Sequence, residues 1–345
     1  MKLNDSNSTF VLWNRSASIR DFDNEETASA ATTIVIINCV LNLPLIPIAI
    51  FGNLMVLIAV VKTPLLRSPS VILLCGLAVS DLLVGLIAQP MYIAGELIAN
   101  VFLNKLSRTV GFAFCGISLA TMALISVDRY LALQYHMTYN TLVTTTRVQL
   151  FLIIIWLIHL LPLSTVIGFW DVPALFTVGR ILILVYTIAS TISYIGIYRI
   201  VRRHQLQILA QKQATKLSNT ENAHNMAYVS LSKSGANTFV FYICTIFCYL
   251  PWFIFRIFYS DMFFTNPNTA WVFTATLLFA NSAINPFLYC WCLRDLRAAV
   301  TKTFKKISCR QSSWYNLRLD YLQRELLVDH TVDDFFKTKT PVFLF

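Results

Sequence analysis

The chain has 345 residues, of which 57% are hydrophobic and only 13% are charged, and its formal net charge is +10. Because soluble globular proteins carry about 25% charged residues, this composition excludes a soluble globular domain, a disordered chain and a collagen-like chain. It predicts an integral membrane protein, in which the basic excess marks cytoplasmic loops rather than a nucleic-acid-binding surface.

Seven stretches are long and apolar enough to be transmembrane helices, since a hydrocarbon core about 30 Å thick needs roughly 20 apolar residues. They run over Ile34–Val61, Ser70–Ala94, Phe102–Leu133, Val148–Phe169, Leu175–Val201, Ala236–Tyr259 and Thr269–Trp291. The sequence therefore predicts an all-α fold with an N-terminal tail over residues 1–33, a seven-transmembrane helix bundle over residues 34–293, an amphipathic helix over residues 294–309 and a C-terminal tail over residues 310–345.

The two tails are predicted to lie on opposite sides of the membrane. Asn4, Asn7 and Asn14 each begin an Asn-x-Ser/Thr acceptor sequence, and their confinement to the N-terminal tail indicates glycosylation outside the cell. With that tail outside, 20 of the 27 Lys and Arg residues fall on the inner side, in agreement with the positive-inside rule. We therefore expect a multi-pass plasma-membrane protein with an extracellular N-terminus.

The polar residues of the second, third and seventh spans are functional candidates, because an ionisable group inside a bilayer costs at least about 2.5–3.5 kcal/mol. Asp81 lies midway along the second span, where it is either a neutral acid held by hydrogen bonds or an anion paired with a cation. Four further side chains are predicted at the same depth, namely Ser118, Asn281, Ser282 and Asn285. Together they indicate a site for a hard monovalent cation such as sodium, and no other cofactor is expected.

The segment after the seventh span carries apolar residues at helical spacing among Arg and Lys: Leu293, Leu296, Val300, Phe304 and Ile307. This pattern predicts an amphipathic helix that lies on the anionic inner leaflet, with membrane lipids as its partners. Cys309, at the end of this helix, is either a palmitoylation site or a plain free cysteine.

Six motifs occur in order along the spans: GNLMV (Gly52, Asn53), LAVSD (Asp81), DRY (Asp128–Tyr130), Trp156, CYLP (Cys248–Pro251) and NPFLY (Asn285–Tyr289). With them, the chain resembles the rhodopsin-like (class A) G-protein-coupled receptors from about Ile34 to Cys309, while both tails are unmatched. The resemblance implies a receptor without enzymatic activity. Such a receptor binds an extracellular small-molecule or short-peptide ligand and activates a heterotrimeric G protein.

The resemblance also implies which residues switch the receptor: Asp128, Arg129, Tyr130, Tyr194, Tyr249, Pro251, Asn285, Pro286 and Tyr289. Arg129 is expected to pair with Asp128 at rest, and the prolines permit helix kinks. Tyr194 is equally compatible with an interfacial aromatic side chain. The G protein is expected to engage around Arg129, Tyr194, Arg202, Arg203 and Lys233.

The chain departs from the family pattern at several positions. Asn104 stands where most members carry the span-three cysteine of an outer disulfide, and the loop over residues 168–180 contains no cysteine, so we expect this disulfide to be missing. Tyr249 replaces the usual Trp of the CWxP motif. Leu231 and Lys233 stand where the family places an acidic partner for Arg129, and we therefore expect weaker restraint of the resting state and measurable basal signalling.

The predicted ligand pocket contains Gly111, Tyr249, Arg256 and Phe279, and these residues exclude several classes of ligand. Gly111 stands where aminergic receptors carry an Asp, Phe279 where opsins carry a Lys, and Arg256 where adenosine receptors carry an Asn. The arginines near the outer helix ends, with Glu96 as a counter-charge, either attract an anionic or carbonyl-rich ligand or are structural charges at the interface.

Secondary transporters and intramembrane hydrolases are two other classes of protein with many membrane spans. A secondary transporter is disfavoured because only Asp81 is buried deeply and repeated broken helices are absent from the sequence. An intramembrane hydrolase is disfavoured because the sequence contains neither a GxSxG nor an HExxH motif.

Overall fold

The computed structural model describes residues 5–63, 68–98, 100–166, 173–214, 240–255, 269–294 and 296–306, and the side chains from residue 32 onward in most of these ranges. All of their regular structure is helical, as the sequence predicts. In chain order the helices are α1 (Asp5–Lys62), α2 (Pro69–Leu83), α3 (Gln89–Ile98), α4 (Val101–Gln134), α5 (Tyr139–Leu142), α6 (Thr145–Leu160), α7 (Leu163–Val166), α8 (Pro173–Ala214), α9 (Val240–Phe255), α10 (Thr269–Cys292) and α11 (residues 296–306).

Within these ranges, five helical segments are long and apolar enough to cross a membrane: Thr32–Lys62, Pro69–Ile98, Phe102–Gln134, Thr177–Gln207 and Val272–Cys292. α6 and α9 are apolar but shorter. Each of the seven predicted spans overlaps one of these segments. The fourth is interrupted after Leu160 by a turn at Leu161 and Pro162, because proline disfavours helical geometry in the residue before it and lacks an N–H.

The membrane-facing surface is recognisable from large apolar side chains that point away from the protein. Phe51, Leu157 and Phe287 are between 62% and 66% exposed, whereas polar residues such as Asn53 and Asp81 are fully buried. This arrangement inverts the pattern of a soluble protein and is the expected one for a bundle surrounded by lipid.

A π-helical turn over Val84–Ala88 joins α2 to α3. The Gln89 N–H bonds to the carbonyl of Val84, five residues back, directly before Pro90, which has no N–H to donate. The wider turn keeps Asp81, Gly85 and Gln89, which are spaced by four residues, on one buried face.

Close helix packing is visible where α1 meets α10. A Cβ atom on Gly52 would lie 2.8 Å from Cγ of Pro286, so only glycine permits this approach. The GNLMV motif, which contains Gly52, therefore contacts the NPFLY motif, which contains Pro286.

α11 packs part of its apolar face on the bundle. Leu296 is buried, and Val300 packs against the hydrophobic cluster that contains Tyr289. Phe304 is 62% exposed, and the basic residues Arg297 and Lys302 are exposed too. This distribution is compatible with the predicted amphipathic helix. Below, the end of the bundle at Asp128 is called the Asp128 end, and the opposite end, where α4 begins, the Asn100 end.

Candidate functional site

Asp81 lies at the centre of a buried polar cluster between α2, α4 and α10. Its Oδ1 accepts a hydrogen bond from Ser118 Oγ (2.7 Å) and its Oδ2 accepts one from Asn285 Nδ2 (2.7 Å). Ser118 Oγ is also 2.9 Å from Ser80 Oγ. The structure thus brings together Asp81, Ser118 and Asn285 from the predicted cation site.

The atoms around Asp81 fit a hard cation. Asn285 Oδ1 and Ser282 Oγ are buried and have no hydrogen-bond partner among the described residues, and Ser282 lies close to Asp81. Asn53 Oδ1, on α1, is likewise buried and has no hydrogen-bond partner among the described residues. Unused amide and hydroxyl oxygens beside a carboxylate are the ligand type that hard cations prefer. Asn281 differs, because its unpartnered atom is the donor Nδ2.

Asp128 is held by residues outside its own helix. Its Oδ2 accepts a hydrogen bond from Ser70 Oγ (2.7 Å) and its Oδ1 accepts one from Tyr139 OH (2.5 Å). Burial and the hydrogen bond to Asp128 raise the pKa of Tyr139 above its usual value near 10, so its hydroxyl remains protonated and continues to donate. We call Ser70, Asp128 and Tyr139 the Asp128 clamp.

Arg129 is only weakly tied to its neighbour. Its Nε is 4.0 Å from Asp128 Oδ2, and its side chain is 34% exposed, so the predicted ion pair is at the limit of a contact. Partly exposed pairs of this kind are worth roughly 0–1 kcal/mol. The clamp therefore restrains Asp128 more than it restrains Arg129.

A cavity of about 70 Å³ at the Asp128 end brings three predicted switch residues together. Arg129, Tyr194 and Tyr289 all line it, with Phe241 and Cys292 on its far side. Tyr194 is only 8% exposed and its hydroxyl accepts a hydrogen bond from Ser126 Oγ (3.0 Å). Its side chain therefore lies inside the bundle and not at the membrane interface, which was the alternative.

A second cavity, of about 30 Å³, lies toward the Asn100 end. Gly111 and Phe279 line it as predicted, and Tyr92 and Trp252 complete its walls. Tyr249, which was also predicted for this pocket, is not among the residues that line the cavity. Its hydroxyl donates to the carbonyl of Cys115 (2.9 Å), a residue that does line it. Other predicted residues, namely Arg256, Leu231, Lys233, Asn4 and Cys309, lie outside the described residues, as do the side chains of Asn7 and Asn14.

An ion pair between α3 and α4 includes Arg108, one of the residues that line this cavity. Arg108 Nη2 is 3.3 Å from Glu96 Oε1, and both side chains are nearly buried. The pair joins α3 to α4 close to Asn104, which lies one helical turn before Arg108 on α4. A Cβ on Gly95 would lie 2.7 Å from Asn104 Oδ1, so α3 and α4 also approach closely here.

Sequence reasoning missed Ser70, Tyr139 and Trp252. Ser70 and Tyr139 are ordinary residues at a helix start and in a loop, and no local pattern reveals that both reach Asp128. Trp252 directly follows the CYLP motif, so its position beside Pro251 was the one available signal.

Comparisons with known proteins agree with this geometry. The family profile described as "7 transmembrane receptor (rhodopsin family)" matches residues 52–173, which contain Gly52, Asp81 and the DRY motif. The histamine H2 receptor of Canis lupus familiaris is 28% identical over 302 residues, covering 78% of this chain and 79% of the receptor. Trace amine-associated receptor 365 of Petromyzon marinus is 27% identical over 290 residues, covering 74% and 76% of the two chains. The alpha-2B adrenergic receptor of Talpa europaea is 34% identical over 118 residues, about a third of each chain.

These similarities run through the segments that carry the buried Asp81 cluster and the Asp128 clamp. The chain belongs to the rhodopsin family (class A) of G-protein-coupled receptors, and it is a multi-pass membrane receptor rather than an enzyme.

Proposed function

We propose that the receptor is a seven-transmembrane bundle with an amphipathic eighth helix, set in the plasma membrane with its N-terminus outside. In this orientation the Asn100 end binds an extracellular small molecule and the Asp128 end activates a heterotrimeric G protein. The supporting observation is the convergence of Arg129, Tyr194 and Tyr289 on one cavity at the Asp128 end.

The G-protein contact is proposed to form when this cavity opens. Arg129 is partly exposed and weakly paired, so its guanidinium can turn toward a partner without first breaking a strong ion pair. Tyr194 and Tyr289 lie on α8 and α10, on either side of it, and movement of these helices changes the width of the cavity. The exposed Arg202 and Arg203, farther along α8 than Tyr194, are proposed to contact the G protein as well.

The ligand is proposed to be a small molecule that is not held by a span-three carboxylate. The relatives named above include receptors for amines, but Gly111 stands at the position of the aminergic Asp. A Cβ at Gly111 would lie 3.5 Å from Phe279, so this wall of the cavity is apolar. Glu96 is already engaged by Arg108. Simple amines are therefore expected to be weak agonists.

Four further assignments accompany this proposal. A sodium ion held by Asp81, Ser118, Ser282 and Asn285 is proposed to stabilise the resting state, with Asn281 nearby. Glycans are proposed on Asn4, Asn7 and Asn14, and a palmitoyl chain on Cys309. Their support is the sequence pattern together with, for sodium, the unpartnered oxygens beside Asp81.

The test is ligand-independent and ligand-dependent nucleotide exchange by purified G proteins, measured with receptor in lipid nanodiscs. Arg129→Ala should abolish exchange while leaving surface expression and thermal stability close to those of the wild type. Lys302→Ala, which removes an exposed basic residue of α11, is the matched control and should retain exchange. Normal exchange by Arg129→Ala, or no exchange by the wild type with any ligand or G protein of a broad panel, contradicts the proposal.

A further inference from the structure

A second buried polar cluster lies between α1, α3 and α10, toward the Asn100 end and separate from Asp81. Its members are Asn38 and Asn42 on α1, Gln89 and Tyr92 on α3, and Thr276 on α10. Asn38, Asn42 and Gln89 are fully buried at 0% exposure. Uncharged amides at this depth cost free energy unless each of their polar atoms finds a partner.

Most of this cluster is hydrogen-bonded internally. Asn42 Nδ2 donates both of its hydrogens, to the Asn38 carbonyl (2.9 Å) and to Thr276 Oγ1 (2.8 Å). Thr276 Oγ1 in turn donates to Asn38 Oδ1, and Asn38 Nδ2 donates to Tyr92 OH (3.2 Å). Three helices are thus connected through neutral polar groups alone.

Three atoms are left over. Asn42 Oδ1, Gln89 Oε1 and Gln89 Nε2 are buried and have no hydrogen-bond partner within the described part of the chain. An amide has two donors and two acceptor lone pairs on its oxygen, so Gln89 leaves its whole hydrogen-bonding capacity unused.

The helical register places these atoms at one level. Asn38 bonds to Tyr92, and α1 and α3 run in opposite directions. One turn from Asn38 along α1 leads to Asn42, and one turn back from Tyr92 leads to Gln89, so both steps go toward the Asp128 end. Gln89 and Asn42 therefore lie at the same level of the bundle, one turn deeper than the Asn38–Tyr92 hydrogen bond.

The next turn closes the cluster. A Cβ on Gly85 would lie 3.1 Å from Ala49 Cβ and 3.3 Å from the carbonyl oxygen of Ile46, so the backbones of the π-helical turn and α1 nearly touch there. This contact separates the Asn42–Gln89 level from the Asp81 cluster on this side of the bundle. The π-helical turn also keeps Gln89 on the buried face.

We propose that Asn42 and Gln89 form a binding site for at least one internal water molecule, which donates to Asn42 Oδ1 and bonds to the amide of Gln89. Water is the occupant because the unpartnered atoms are uncharged and include both a donor and acceptors, and buried waters typically make about three hydrogen bonds to such groups. Bound there, the water completes the hydrogen bonding between α1 and α3. It lies behind Tyr92, whose ring packs on Phe279 in the wall of the ligand cavity.

The first test is thermal stability. Gln89→Met keeps the length of the side chain but removes both polar atoms. If the amide holds water, the melting temperature falls by about 1–2 °C, as expected for the loss of roughly one hydrogen bond in a chain of 345 residues. If no water binds the amide, the same variant is as stable as the wild type or more stable, because a group without hydrogen bonds has been removed. That result overturns the proposal. Gln134→Met, at the exposed end of α4, is the matched control and should change the melting temperature by less than about 1 °C.

A double-mutant cycle tests whether the two residues share the water. Asn42→Ala also loses the bond to Thr276, but the cycle cancels that effect. The two variants combined should lower the melting temperature by less than the sum of the single effects, and strict additivity overturns a shared water. A wild-type structure at a resolution that shows waters is decisive if either variant fails to fold. Density within hydrogen-bond distance of both side chains supports the site, and either a direct Asn42–Gln89 bond or no density between them overturns it.

Discussion

Asp81 and Asp128 are the same residue type in two different environments, and the difference lies in what surrounds each carboxylate. Asp128 receives hydrogen bonds from Ser70 and Tyr139, so its partners come from flanking elements at the end of the bundle. Asp81 also receives two hydrogen bonds, but unpartnered oxygens of Asn53, Ser282 and Asn285 remain in its vicinity. A carboxylate with spare oxygen ligands nearby suits a cation, whereas one held by outside donors suits a clamp.

The first prediction concerns sodium at Asp81. If sodium binds the resting receptor, it adds RT ln(1 + [L]/Kd) of stability, about 1.4 kcal/mol at ten times Kd. Purified wild-type receptor should therefore melt at a higher temperature in sodium than in choline at equal ionic strength. Asp81→Asn should lose this difference, because it removes the carboxylate charge that compensates the ion.

The control for this experiment is Ser193→Ala. Ser193 is a buried polar residue of α8 that donates only within its own helix, to the carbonyl of Ala189 (2.8 Å), so its variant should keep the full sodium response. An equal response in wild type and Asp81→Asn means that sodium acts elsewhere.

At the scale of helices, contact distances decide where a methyl group is tolerated. A Cβ at Gly52 would lie 2.8 Å from a ring carbon of Pro286, which cannot rotate away, whereas a Cβ at Gly111 would lie 3.5 Å from Phe279. We predict that Gly52→Ala lowers the free energy of unfolding by about 1–3 kcal/mol through overpacking. Gly111→Ala should be neutral or stabilise by up to about 1 kcal/mol, because alanine favours a helix.

Thermal melts of the two variants without ligand provide the comparison. Both change glycine to alanine inside a membrane helix, so differences in helix propensity cancel. Equal melting temperatures for the two variants indicate that α1 and α10 separate easily, and contradict the close packing of the GNLMV and NPFLY motifs.

The helices themselves were predictable because apolar length is a strong signal, and the seven predicted spans each overlap an apolar helix. The end of α6 at Leu160 could have been read from Pro162. The π-helical turn could not, since Pro90 alone does not reveal which carbonyl accepts the Gln89 N–H. Asp81 and Ser118 were matched by depth along their spans, but the contact of Tyr139 with Asp128 depends on how a short loop folds back. Loop geometry has no periodicity from which to predict it.

At the Asn100 end, α3 and α4 are joined by a non-covalent contact. The described cysteines are all free thiols, and Glu96 and Arg108 form a nearly buried ion pair instead. We predict that mild reductant leaves the melting temperature and signalling of surface-expressed receptor unchanged. Glu96→Gln should destabilise the protein, by up to about 3–5 kcal/mol, because it removes the negative charge that faces the nearly buried Arg108.

The double variant Glu96→Gln/Arg108→Gln separates charge from packing. It removes both charges and should recover most of the lost stability. Loss of signalling in reductant points to a disulfide involving residues outside the described ranges, and full stability of Glu96→Gln removes the role given to the ion pair.

For the whole molecule, signalling depends on the balance between resting and active arrangements of the bundle. The tightest interaction at the Asp128 end is the clamp, with a 2.5 Å hydrogen bond from Tyr139, whereas Arg129 is 4.0 Å from its neighbour. A free-energy difference of a few kcal/mol in favour of the resting state leaves the active state at about 0.1–10% of the population. With so weak a restraint on Arg129, wild-type receptor should exchange nucleotide measurably without ligand.

Tyr139→Phe tests this balance, because it removes the hydroxyl that donates to Asp128 and changes little else. Hydrogen bonds to charged groups contribute about 1.5–3 kcal/mol when buried, and Tyr139 is partly exposed, so we expect a loss near 1 kcal/mol. Since 1.4 kcal/mol is a factor of ten in an equilibrium, basal nucleotide exchange should rise roughly fivefold at matched expression.

Tyr135→Phe, an exposed tyrosine four residues earlier, is the control and should leave basal exchange unchanged. Adding Leu231→Glu, which restores a carboxylate at the position where the family pattern has an acidic partner for Arg129, should lower basal exchange in both backgrounds. Unchanged exchange in Tyr139→Phe means that the clamp does not hold the resting state, whereas a fall in exchange means that Asp128 is held in the active state instead.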